Sequence, residues 1–357
     1  MCAIGPGDIG SPFQSTRFSR YDALSLVGSD MRRRDFIRFA VGSAAAWPFA
    51  ARGQQPEIPT IGFLNAASPQ KYALPLSAFL KGLSENGFVD GRSVKIEYRW
   101  AEGRINRLPA MATDLVRRQV AVIAACSTAA ALAAKAATTS IPIVFETGAD
   151  PIQLGLVANL NRPGGNVTGV TQLTQEVAPK LAELLHELLP NARIMALLVN
   201  RDDPALAEAT VRAVLPPGRT LGLEFHILSA TSEQDFDGVF AKCIELKADA
   251  LVIGGAPLFT SNSEQLAVLA ARYRVPTIYK GREFAAAGGL LSYGSDISDA
   301  YRLAGNYTGR ILKGDKPGDL PVQRATKVTL YINLKTAKTL ELNVPNTLIG
   351  RADEVIE

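Results

Sequence analysis

The sequence predicts an α/β protein built from two lobes, each a doubly wound parallel sheet. Three observations predict it. From Ile58 onward, short apolar runs alternate with amphipathic stretches, the pattern of buried parallel strands separated by covering helices. The alternation pauses at Asn161-Arg162-Pro163-Gly164-Gly165-Asn166-Val167-Thr168-Gly169-Val170 and then restarts, which marks a chain crossing between two units. At Cys126-Ser127-Thr128 an apolar run, 120–125, passes directly into an alanine-rich run, 129–137. That is a buried strand meeting a capped helix, because alanine loses no side-chain entropy in a helix and Ser or Thr is a preferred N-cap.

In the first half, strands are expected at 59–64, 94–100, 120–125 and 141–145, each apolar or alternating. Helices are expected at 74–86, stopped by Gly87, at 107–118, at 129–137, and in a short turn through Leu160. In the second half, a helix at 177–189 stops at Pro190, and strands follow at 193–199, 224–228, 250–253, 276–279 and 289–293. Helices fill the gaps at 206–214, 233–246 and 263–273, and the pair 297–312 and 326–332 is a helix and a closing strand. Pro216-Pro217-Gly218 is expected to break the helix before it.

At 357 residues the chain has room for two domains with full cores. A hydrophobic content of 47% with 20% charge describes a folded chain, and a net charge of +4 without a basic stripe argues against nucleic-acid binding. The three Cys (Cys2, Cys126, Cys243) and two His (His186, His226) match no metal-ligand spacing, so neither a metal nor a cofactor is expected. Gly5-Pro6-Gly7-Asp8-Ile9-Gly10 spells a dinucleotide fingerprint, but no strand precedes it and Pro6 interrupts it. Residues 1–30 are expected to be disordered and to precede the true start at Met31. Arg32-Arg33-Arg34-Asp35-Phe36-Ile37, the small apolar run at 39–51 and the polar stretch after it read as an export signal at 31–53 of twin-arginine type. The run is too short to span a membrane, so no stable insertion of the mature chain is expected.

Several stretches resemble one family. They are Ile61-Gly62-Phe63-Leu64-Asn65, the Gly-rich tract ending in Asn166-Val167-Thr168-Gly169-Val170, Ile311-Leu312-Lys313-Gly314 with Leu320-Pro321-Val322, and Ile332-Asn333-Leu334-Lys335-Thr336-Ala337-Lys338. Together they resemble the periplasmic substrate-binding proteins of ABC transporters, in the group that includes tryptophan- and tyrosine-type binders. The resemblance implies a type I periplasmic-binding fold with a three-strand hinge. Its crossings map near 166–171, 292–296 and 323–329, giving lobe 1 as 57–168 plus 296–323 and lobe 2 as 169–295 plus 324–357. It also implies a periplasmic, non-enzymatic protein that captures a small molecule, an amino acid or aromatic acid, and delivers it to ABC permease subunits. The competing reading is a ligand-sensing periplasmic module that hands its ligand to a sensor partner. No G-x-S-x-G, H-E-x-x-H or P-loop is present, so an enzyme ranks last.

Ligands of open parallel sheets sit beyond the carboxyl ends of the strands. The first-lobe wall is therefore expected at Asn65, Ala66, Ala67 and Ser68, at Cys126, Ser127 and Thr128, and at Glu146, Gly148 and Asp150. Ser127 and Thr128 offer hydroxyls and a helix N-terminus to a carboxylate. Glu146 and Asp150 are each either an ammonium partner or a loop charge, an N-cap in the case of Asp150. Cys126 reads as a packing residue rather than a nucleophile. The second wall is expected at 200–203 from Asn200, at Ala256, Pro257, Leu258 and Phe259, at 279–283 with Tyr279, Lys280 and Glu283, and at Tyr293. Each of the three aromatics either stacks on a planar ligand or packs under its neighbouring loop.

Overall fold

The structure, a computed structural model, describes residues 58–172, 174–326 and 328–357, without the side chains of 174–176. The export signal expected at 31–53 and the disorder expected at 1–30 lie outside the described residues.

Two sheets organise the chain. The first contains β1 (Thr60–Asn65), β2 (Lys95–Trp100), β3 (Val122–Cys126), β4 (Ile143–Thr147), β5 (Val167–Thr171) and β11 (Gln323–Arg324), in the order β11-β5-β4-β3-β1-β2 with every pairing parallel. Apolar runs without alternation make these strands because both faces are covered. Phe63 and Val122 pack on one side with Phe79 and Tyr301, while Leu64 and Ala125 pack on the other with Leu115 and Ala130. The first layer comes from α1 (Ala73–Ser84) and α10 (Ile297–Leu312), the second from α2 (Leu108–Arg117) and α3 (Thr128–Ala137).

The second sheet contains β6 (Ile194–Asn200), β7 (Glu224–Ala230), β8 (Ala250–Ile253), β9 (Thr277–Tyr279), β10 (Leu291–Ser295), β12 (Val328–Asn333) and β13 (Glu354–Ile356), in the order β13-β12-β10-β9-β8-β6-β7. Only the β10–β12 pairing is antiparallel. Its helices are α4 (Thr174–Leu188), α5 (Pro204–Thr220), α6 (Phe236–Glu245), α7 (Pro257–Ser261), α8 (Ser263–Arg272), α9 (Arg282–Ala286), α11 (Leu334–Thr339) and α12 (Asn346–Ile349). The chain passes between sheets after Thr171, after Ser295 and after Arg324. The first sheet thus extends to Thr171, past the lobe boundary expected at Thr168.

Helix α10 returns the chain to the first lobe and lies backbone to backbone on α1. A Cβ on Gly305 would sit 2.0 Å from the Phe79 carbonyl oxygen, and one on Gly82 would sit 1.9 Å from that of Arg302. Only glycine permits this approach, and it carries Tyr301 of α10 to the ends of β1 and β3.

Two expectations are corrected. Pro216-Pro217-Gly218 does not break its helix, because α5 runs on to Thr220. The buried face Leu206, Thr210, Val214, Gly218 continues through both prolines, and Gly218 lies against the Phe225 ring. Packing of that face outweighs the hydrogen bonds that Pro216 and Pro217 cannot donate to the preceding turn. The short helix expected before Leu160 is instead a series of turns. Asp150 starts them, its Oδ1 accepting from the Ile152 N–H at 2.8 Å.

Candidate functional site

The carboxyl ends of both sheets face each other, and residues from both lobes line three neighbouring spaces between them. The outermost is a cavity of about 850 Å³. Ala66, Ala67, Ser68 and the 102–106 loop line its first-lobe side, and Asn200, Thr231–Gln234, Pro257, Leu258 and Asn262 its second-lobe side. Lys71 bridges this mouth, with its Nζ 2.9 Å from a Glu233 oxygen and also donating to Asn262. No aromatic ring is among the residues lining it. Pro257 is common to this cavity and to a much smaller deep space of about 30 Å³. The deep space is bounded by Ser127, Thr128, Glu146, Gly148, Tyr72 and Tyr301 of the first lobe and by Ala256, Lys280 and Leu206 of the second. A rear cavity of about 350 Å³ lies on the far side of a partition that Gln172, Lys280 and Ile297 share between the two.

The deep space is built from strand ends. Ser127 ends the β3 turn and caps α3, its Oγ accepting from the Ala130 N–H at 3.2 Å. The N–H groups of Thr128 and Ala129 fall in the first turn of α3, where no intrahelical acceptor exists. With the positive end of the helix dipole, they form a receiver for an anion. The Thr128 hydroxyl is held 2.8 Å from that of Thr147. Glu146, near the end of β4, is buried, and its Oε1 accepts from Gln172 Nε2. Burial pushes its carboxyl up to about 7, against the opposing pull of the Lys280 charge and the Gln172 bond. Burial pushes the Lys280 amine down, while Glu146 and Glu283 draw it up. Lys280 Nζ donates to Gln172 Oε1 at 3.2 Å, so Glu146, Gln172 and Lys280 form one chain from the first lobe to the second.

The expected residues separate into groups. Ala66, Ala67, Ser68, Asn200, Pro257 and Leu258 reach the mouth cavity. Ser127, Thr128, Glu146, Gly148 and Ala256 reach the deep space, and Glu283 reaches the rear cavity. Four lie under the surface of the site instead. Asn65 is fully buried and bonds Tyr301 and the Ala67 N–H. The Cys126 thiol is in the first core, and burial raises its pKa. Phe259 and Tyr279 pack in the second-lobe core, with the Tyr279 hydroxyl 2.7 Å from that of Thr260. Neither ring is open to stack on a ligand, because apolar side chains of that core enclose both. Tyr293 packs on the other face of the second sheet, and Asp150 is occupied as a turn cap. Five residues lining the deep space went unrecognised, namely Tyr72, Gln172, Leu206, Ile297 and Tyr301. Gln172 directly follows β5, so the strand-end rule reaches it, as it reached Lys280 after β9. Tyr72 comes from the turn before α1 and Tyr301 from helix α10, and nothing local in the sequence points them at the cleft.

Two α/β lobes with facing strand ends, three crossings and a polar, charged interior define a cleft-type small-molecule binding protein. The model of the ABC transporter substrate binding protein family matches residues 69–356, and the chain belongs to that family of transport proteins. A tyrosine-binding protein of Clostridioides difficile (strain R20291) is 26% identical over 279 residues, covering 77% of this chain and 80% of that protein. A crystal structure of an ABC domain from Streptococcus pneumonia in complex with L-Trp superposes with a TM-score of 0.73 at 26% identity, covering 84% of this chain and all of that one. A conserved domain protein from Vibrio cholerae shares the fold, with a TM-score of 0.76 at 24% identity over 84% of this chain and all of its own. The architecture is the type I periplasmic-binding fold. Among the described residues no helix is long and apolar enough to cross a membrane, and no cluster of three metal-ligating side chains occurs.

Proposed function

We propose that this chain captures an L-amino acid in the interlobe cleft and delivers it to the permease subunits of an ABC importer, acting in the periplasm after its export signal is removed. One observation carries the amino-acid reading. The deep space places the Glu146 carboxylate and the first turn of α3 on the same small volume. The carboxylate suits an α-ammonium group, and the helix N-terminus with its hydroxyls suits an α-carboxylate. The amino-acid side chain then extends past Pro257 into the mouth cavity, which has the volume for a large one. The names of the tyrosine-binding relative and of the L-Trp complex support the same class.

A thermal-shift screen of residues 54–357 against the L-amino acids tests this, because a ligand raises the melting point by mass action. At least one L-amino acid is expected to raise it, and Glu146→Gln to weaken that ligand by about ten- to a hundredfold, the loss of a charge-assisted bond. If no amino acid shifts the melting point while another solute class does, the reading is wrong.

A further inference from the structure

Three residues that fence the deep space, Gln172, Lys280 and Ile297, also border the rear cavity, and of these Gln172 is the one bonded to a Glu146 oxygen. The free volume there, about 30 Å³, is room for about one water. The α-carbon of an amino acid with its ammonium and carboxylate groups needs more, so a lining group must move. Tyr301 is fastened to Asn65 and to the Cys126 carbonyl, and Thr128 to Thr147. Gln172 is pinned by its backbone, whose N–H donates to the Thr147 carbonyl at 2.9 Å and whose carbonyl accepts from Ser295 Oγ at 3.2 Å, while its side chain bridges the two charged groups, Glu146 and Lys280. Its side chain stands in the partition with open space behind it, since the rear cavity of about 350 Å³ also touches Gln172. Ser298, Thr329 and Asp296 line that cavity and offer partners to a displaced amide.

The amide polarity fits its present place. The NH₂ end faces the Glu146 carboxylate and the carbonyl end faces the Lys280 ammonium. An α-ammonium group arriving at Glu146 needs the oxygen that Gln172 Nε2 now holds. We propose that Gln172 is a two-position gate, a positioning residue whose side chain holds the Glu146 oxygen for an incoming ammonium group and withdraws into the rear cavity when that group binds. This rests on the amino-acid reading above and adds to it a residue that competes with ligand.

Gln172→Met tests the gate, because it keeps the side-chain length and deletes both hydrogen bonds. L-tryptophan and L-tyrosine are the probes, titrated calorimetrically at about pH 8.5, where Glu146 is ionised. Loss of the competing bond is expected to lower Kd about two- to tenfold. Gln172→Ala, which also frees volume, shifts Kd in the same direction. A second readout needs no ligand. Glu146 is faced by Lys280, Tyr72, Tyr301 and Cys126, and Lys280 in turn by Glu283. Among these the Gln172 bond holds the Glu146 midpoint down, so in Gln172→Met the midpoint read by ¹³C NMR of labelled glutamate moves up. Wild-type binding with a Kd unchanged or raised in both variants, or an unmoved Glu146 midpoint, overturns the gate alone. Failure of both amino acids to bind the wild type overturns the amino-acid reading and the gate with it.

Discussion

The Asn65 side chain donates a 2.8 Å hydrogen bond to the Tyr301 hydroxyl, joining the end of β1 to the helix that returns from the second lobe. Tyr301 donates onward to the Cys126 carbonyl at 3.1 Å, and Asn65 Oδ1 accepts from the Ala67 N–H. Two first-lobe strand ends and the return helix are thus tied at one buried hydroxyl beneath the deep space.

Tyr301→Phe is therefore expected to destabilise the chain by about 1–3 kcal/mol, because it leaves the buried Asn65 donor without its partner. Urea unfolding measures the loss. Combining it with Asn65→Ala in a double-mutant cycle should recover part of the cost, since the second change removes the stranded donor. Strict additivity of the two changes argues against the tie.

The α1–α10 contact makes a second prediction. Gly305→Ala would push a methyl carbon into the Phe79 carbonyl, a backbone atom that no side-chain rotation can clear. A loss of about 3 kcal/mol is expected, at the upper end of ordinary overpacking. Gly238→Ala is the control. It lies inside α6 with nothing near its Cβ, so the helix should gain about 0.5–1 kcal/mol from lower backbone entropy. Thermal melts of the two variants should move in opposite directions.

These contacts also show where sequence reading ends. The alternation of apolar and amphipathic runs is a local property, so the two sheets and most of their strands were legible, as was the Ser127 cap. Pro216 and Pro217 misled, because local rules count the missing hydrogen bonds and cannot see the face of α5 that packs on its sheet. Asn65 and Tyr279 sit at strand ends, where a ligand contact was expected, and Phe259, expected there too, lies inside helix α7. Whether such a side chain turns into the cleft or under it depends on what the neighbouring helix supplies: Tyr301 claims Asn65, and Thr260 claims Tyr279. Tyr301 itself lies far from β1 and β3 in sequence and reaches them only through the glycine-mediated helix contact.

Glu146 makes stability and binding depend on pH in opposite senses. Its carboxyl rises from an ordinary value of 4.5 to about 7 on folding. Between those values the folded chain holds a proton that the unfolded chain has lost, so stability falls as pH rises through this window. The change attributable to this group is about 3 kcal/mol, complete above the folded value. Glu146→Gln should flatten that slope in denaturation series from pH 4.5 to 8 and be the more stable form at pH 8. Amino-acid binding should strengthen over the same interval, because the ammonium group needs the ionised carboxylate. An unchanged slope in the variant would assign the proton elsewhere.

Ser127 allows the structural and the binding roles of the α3 N-terminus to be separated. Its Oγ accepts from the Ala130 N–H, so Ser127→Ala removes a cap and should cost about 1 kcal/mol. The free N–H groups of Thr128 and Ala129 remain, and an amino-acid carboxylate held by them should bind within about threefold of wild type, since a neutral hydroxyl adds under 1 kcal/mol beyond those donors. Ser127→Asp does the reverse. Aspartate caps as well as serine and suits the helix dipole, which offsets part of the cost of burying it. Its charge, however, stands where a ligand carboxylate would sit, and binding should weaken by at least tenfold. Calorimetric titration and urea unfolding of both variants distinguish the roles. If Ser127→Asp binds an amino acid as tightly as the wild type, the carboxylate does not lie at this helix end, whatever the effect on stability.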